Sequence, residues 1–178
     1  IKLGNEKDEA VSIILELSKN IESTILTIIE HHGNNYENKI SVYKLICVIC
    51  ISLPNVSIIV MVIKILLKMQ AFAIERRLLL KPSHFNSIHA LIISVMTLIC
   101  YISQAKSLSD YIHKIVCIRY DIAAHLNPPI KKEKGMQATT YIKPEMFLDK
   151  WELRYCLWMH YKLGETMTLC GFNSNFKN

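Results

Sequence analysis

From Leu45 to Ile63 the chain runs nineteen positions without a charged residue, between Lys44 and Lys64. A run so apolar belongs either across a bilayer or inside a protein core, and its length is close to the ~20 residues of a membrane helix. Its centre decides between the two. Ser52, Pro54, Asn55 and Ser57 stand there. Lipid offers no partner for backbone groups that a proline break sets loose. Pro54-Asn55 therefore reads as the corner between two buried helices, spanning about 39–52 and 55–80, with no stable membrane insertion.

The remaining chain follows the same helical rhythm. Val11, Ile14, Leu17, Ile21, Ile25 and Ile28 recur at three- and four-residue steps, which predicts one long helix from Glu6 to His32, stopped at Gly33. Ser83 heads a helix reaching Gln104, with Ile88, Leu91, Ile92, Val95 and Ile99 on its apolar side. Ser107-x-x-Asp110 has the form of a capping box and opens the next. Pro144-Glu145 starts a last helix, to about Cys170, whose Trp151, Tyr155 and Trp158 suit a core or an inter-domain surface. Only five glycines and five prolines punctuate 178 residues, and strand alternation is missing. The expected fold is all-α: an antiparallel helical bundle of about six helices, residues 1–178 forming a single domain. A chain that begins at Ile1 reads as a piece of a longer one.

Many chemistries find no foothold. There is no Gly-rich phosphate loop, no HExxH and no Gly-x-Ser-x-Gly. Cys47-x-x-Cys50 has no second pair at zinc-site spacing, and the other cysteines are scattered in helical segments. They read as small buried residues, so neither metal nor cofactor is expected. Six reduced thiols suit a reducing, cytoplasmic compartment.

Polar chemistry concentrates in Ile118-Arg119-Tyr120-Asp121-Ile122-Ala123-Ala124-His125-Leu126-Asn127-Pro128-Pro129. Asp121 and His125 are four residues apart, which makes them neighbours on one helix face, where the carboxylate would fix the imidazole tautomer and favour its protonated form. Arg119 precedes His125 by six residues, about 120° around the helix. The two meet only if the last turn unwinds, the arginine reaches round, or two copies of the helix pool their residues.

An arginine, five residues and a histidine late in a helix of an all-α chain resembles the signature of HEPN domains. In the commonest form a polar residue directly follows the arginine; here Tyr120 does, and Asp121 comes one place later. The resemblance implies a metal-independent ribonuclease, a homodimer with the two motifs facing each other, and RNA as partner. His125 would act as general acid or base, Asp121 would orient it, and Arg119 would stabilise phosphoryl charge. Lys131, Lys132 and Lys134 after the motif, with Arg76 and Arg77 before Leu78, would contact the RNA backbone, in keeping with a net charge of +6. Composition further resembles the C-terminal domain of AbiA-type abortive-infection reverse transcriptases, which implies antiviral defence. The alternative is a non-catalytic helical scaffold or interaction domain docked onto the rest of a larger, polymerase-containing protein.

Overall fold

The computed structural model describes residues 2–33, 35–130 and 143–161, with residues 2–6 by backbone alone. Helices α1 (Lys2–Glu16), α2 (Ser18–His32), α3 (Tyr36–Ser52), α4 (Val56–Glu75), α5 (Pro82–Ser103), α6 (Lys106–Ala123) and α7 (Lys150–Tyr161) follow in order. Among the described residues two 3-10 turns, Ala124–Leu126 and Pro144–Met146, lie between α6 and α7. The described residues contain no strand, so the all-α expectation holds.

Local chemistry explains most boundaries. The Asn55 side chain accepts a hydrogen bond from the Ser57 N–H at 2.8 Å and caps α4, while Asn35 does the same for α3 through Glu37 N–H at 2.9 Å. The uncharged run thus breaks at Leu53-Pro54-Asn55, as its polar centre predicts. Pro82 occupies the first turn of α5, where its missing N–H costs nothing. Gln104 ends α5 in the left-handed region, φ 54°, with its N–H returned to the Cys100 carbonyl.

Several boundaries differ from the sequence reading: α3 starts at Tyr36 rather than Lys39, and α4 ends at Glu75 rather than Leu80. The first long helix divides at Leu17, although hydrogen bonds from Leu17 to Ile13 and from Ile21 to Leu17 run through the junction. No capping box opens α6: it starts at Lys106, and the Ser107 hydroxyl instead donates to the Cys156 carbonyl at 3.2 Å. The last helix begins at Lys150, not Pro144, and its expected reach to Cys170 lies outside the described residues.

The helices stack as hairpins in two layers. Glu22 pairs with Lys68, and Glu30 with Arg76 at 3.4 Å; an advance of eight residues on each helix places α2 and α4 side by side and parallel. In the other layer α3 packs on α5, joined by Lys39 and Ser87. Next, α6 packs on α5 and α7 on α6. Residues 58–63 of α4 and 84–93 of α5 are buried without interruption, which only central helices can be. By length and composition both helices could cross a membrane, yet most of the apolar stretch of each is buried inside the protein. At the α2–α3 corner, Gly33 is required by close approach. A Cβ there would collide with the His84 ring and the Ile29 carbonyl.

Candidate functional site

Arg119, expected in a catalytic cleft, is fully buried. It lies on the inner side of α6, and its guanidinium is aimed at backbone. Nε donates to the Met146 carbonyl at 2.6 Å, and Nη1 donates to the Leu126 carbonyl at 3.1 Å and the His89 carbonyl at 3.4 Å. The cation also lies 5.7 Å from the Phe147 ring centroid. Burial lowers its pKa to about 9. The arginine ties α5, the end of α6 and the segment leading into α7 to one another, and so terminates the carbonyls of two 3-10 turns.

His125 does not share this arrangement. It lies half-buried on the 3-10 turn after α6, and desolvation lowers its pKa, opposite to the protonated form that the four-residue spacing to Asp121 suggests. Asp121 is exposed and lines a shallow groove of about 430 Å³ with Ile118, Ile122, Lys143, Pro144 and Glu145. Arg76 and Arg77 are exposed at the α4–α5 corner, where Arg76 pairs with Glu30. The structure does not bring them to Arg119. Lys131, Lys132 and Lys134 lie outside the described residues.

Other buried polar groups also serve the fold. Gln70 pairs with the backbone of Leu148. Lys39 Nζ donates to Ser87 Oγ at 2.6 Å, and Ser87 Oγ donates to the His84 carbonyl at 2.9 Å. Burial, with the Lys39 charge nearby, lowers the His84 pKa to about 4, and desolvation lowers that of Lys39. His89 lies between the rings of Phe85 and Phe147, with centroids at 4.5 and 4.9 Å, and burial keeps it neutral. Burial raises the thiols of Cys47 and Cys50, the latter to about 11, which disfavours the reactive thiolate. Among the described residues no three His, Cys, Asp or Glu side chains converge on a metal position.

The surface has features of a different kind. Trp151, Tyr155, Trp158 and Met159 are about half exposed and form one stripe on α7, at steps of four, seven and eight residues. Leu153, Cys156 and Leu157 bury the opposite side. Leu45, Val48 and Ile51 form a similar stripe on α3, opposite Val42, Ile46 and Cys50. Sequence reading placed the aromatic residues on a core or inter-domain surface but missed the α3 stripe. Apolar residues surround α3 on nearly every side, so periodicity alone does not separate its inner face from its outer one.

The comparisons with known proteins point to a helical-repeat family and not to a nuclease. A curated relative from Drosophila melanogaster, the EFR3 homolog cmp44E, is 34% identical over 76 residues, which is 42% of this chain and 9% of the relative. The chain thus aligns with a small part of that protein's length. No solved structure matches the chain. The family described as EFR3, armadillo repeat, matches residues 8–159. This overturns the HEPN resemblance and, with it, the ribonuclease activity, the RNA partner with its paired HEPN motifs, and the link to abortive-infection reverse transcriptases. The Arg-x5-His spacing arose where an inward arginine and a turn histidine fall six residues apart. With 152 consecutive positions covered by its model, the chain belongs to the EFR3 armadillo-repeat family.

Proposed function

We propose that this segment is a non-catalytic scaffold, a stack of helical hairpins that holds a protein partner against the outer face of α3. One observation carries the reading. Leu45, Val48 and Ile51 are about half exposed or more in a contiguous row, bordered by the exposed polar residues Ser41, Lys44 and Ser52. An apolar strip with a polar rim is the composition of a protein interface. The α3 helix is also rigidly seated, because its inner residues Val42, Ile46 and Cys50 are buried in the common core. Such a surface offers shape and apolar area without chemistry. Family membership supports the reading, since armadillo-type stacks present extended surfaces built from many helices.

The test is the mass of the natural polypeptide in solution, measured by light scattering after purification from its own cells. A scaffold travels in an assembly heavier than itself. Val48→Glu with Ile51→Glu leaves the helical spectrum unchanged and releases the partner. Recovery of the same heavy assembly from this double variant would rule out α3 as the docking face.

A further inference from the structure

The outer face of α6 carries a pair of donor side chains that the scaffold reading leaves unused. The inner face of this helix is buried through Ile112, Ile115 and Arg119, and Arg119 bonds to three carbonyls beneath it. The backbone is therefore firmly seated from 112 to 119. On the solvent side stand His113 and Cys117, both exposed. They are four residues apart, which makes them neighbours on one helix face. Cys117 Sγ lies 3.5 Å from His113 Nε2. The other described cysteines are placed differently: Cys50 and Cys156 are buried, and Cys47 and Cys100 are partly so. Burial raises the pKa of all four, Cys100 to about 11, which disfavours the thiolate that a metal requires. Among the described residues Cys117 is the exposed thiol, and an imidazole nitrogen stands beside it.

The separation of the two donors is that of a chelate. With Zn–S near 2.3 Å and Zn–N near 2.0–2.1 Å, the sulfur and nitrogen of a tetrahedral zinc stand about 3.5 Å apart. His113 and Cys117 thus already span one edge of such a coordination sphere. Without metal the same distance suits an S–H···N hydrogen bond. A bound cation takes the place of the shared proton, which leaves to solvent. The surrounding charge favours the exchange. Asp110 lies one turn before His113 and Asp121 one turn after Cys117, both exposed on this face. No three His, Cys, Asp or Glu side chains converge among the described residues, so these carboxylates contribute field and not bonds. Lys106 pairs with Asp110 at 3.6 Å, and Lys114 opposes the field in part.

We infer that His113 and Cys117 form a two-donor site for a divalent cation of the zinc class, with water in the remaining positions. Thiolate and imidazole select such ions over magnesium and calcium, which take oxygen ligands. The rigid helix holds both donors in place, so little ordering is left for the moment of binding. The site uses no residue of α3 and stands whether or not that helix docks a protein.

Cobalt titration of the natural polypeptide under reducing conditions tests this. Cobalt accepts the same ligands and geometry, and its bond to a thiolate gives a charge-transfer band in the near ultraviolet. Wild type is compared with Cys117→Ser, His113→Gln and Cys47→Ser. Both donors are exposed, so their variants keep the helical spectrum. Cys117→Ser is expected to remove one bound cobalt per chain together with its band, and added zinc to displace that same cobalt from the wild type. His113→Gln is expected to weaken this site about tenfold or more, since even an outer-shell partner contributes that much. Cys47→Ser leaves it unchanged. Equal bands in wild type and Cys117→Ser at millimolar cobalt would overturn the inference. A band that keeps its wild-type affinity in His113→Gln would also overturn it, because the thiol would then act alone. So would a single cobalt shared between the Cys117 thiolates of two chains.

Discussion

Gln70 and Leu148 pair through both halves of an amide: Gln70 Nε2 donates to the Leu148 carbonyl at 2.8 Å, and the Leu148 N–H donates back to Oε1 at 2.8 Å. The pair joins the C-terminal half of α4 to the segment that launches α7, 78 residues later. It substitutes for secondary structure in a stretch that has none, since a buried backbone group without a partner is costly. Gln70→Leu fills a similar volume but strands both groups of Leu148. Unfolding in urea is expected to show a loss of about 2–4 kcal/mol. A loss below ~0.5 kcal/mol, the level of an ordinary surface change, would mean the clamp contributes little.

Arg119 should behave as a structural anchor. Arg119→Lys keeps the charge, but one ammonium cannot reach the carbonyls of Met146, Leu126 and His89 together. The variant is expected to lose about 3 kcal/mol, as when a buried charged group is deprived of its partners. His125→Ala, on the turn beside it, is expected to change stability by less than about 1 kcal/mol. Equal losses for the two would contradict this assignment, and chemical denaturation of both variants measures it.

Lys39 is a buried cation whose hydrogen bond goes to a neutral hydroxyl. Its lowered pKa reflects desolvation, and no carboxylate among the described residues pairs with it. Lys39→Met keeps the stem, and Ser87 Oγ still donates to the His84 carbonyl. The change is expected to be neutral or to raise stability by about 1 kcal/mol. A large loss, seen as a lower melting temperature, would show that the ammonium is needed.

Stability should fall on mild acidification. His84 has a folded pKa of about 4, below its ordinary 6.5. Between those values the unfolded chain binds a proton that the folded chain does not, so unfolding becomes easier as pH falls through 6.5 and the effect levels off below 4. The full shift corresponds to about 3 kcal/mol. His89, also held below its ordinary value, adds to the trend. Urea titrations at pH 7.5, 6.0 and 5.0 measure the slope, which His84→Gln is expected to reduce. A flat profile would contradict the neutral, buried state of these histidines.

The helices were largely readable in the sequence, and the site was not. The Leu53-Pro54-Asn55 corner showed because its cause is local: a proline, and an asparagine that caps the next residues. The division at Leu17 was invisible, since neither proline nor glycine marks it and hydrogen bonds continue across it. The Ser107 capping box failed because its hydroxyl found a partner 49 residues away. Arg119 misled for the same reason. Spacing says which residues share a helix face, but not whether that face looks inward, and this one meets carbonyls contributed by α5 and by the segment before α7. The stacked repeats escaped notice because successive hairpins share a shape and an apolar face without a fixed motif.

The outer face of α3, with Leu45, Val48 and Ile51, is the proposed docking face for a protein partner. The direct measurement is site-specific photo-crosslinking in cells, with a benzophenone side chain at position 48 on α3 in one variant and at position 121 beside the former candidate cleft in the other. A discrete protein adduct is expected from position 48 and none from position 121. Crosslinking to RNA at position 121, with no protein adduct from position 48, would contradict it.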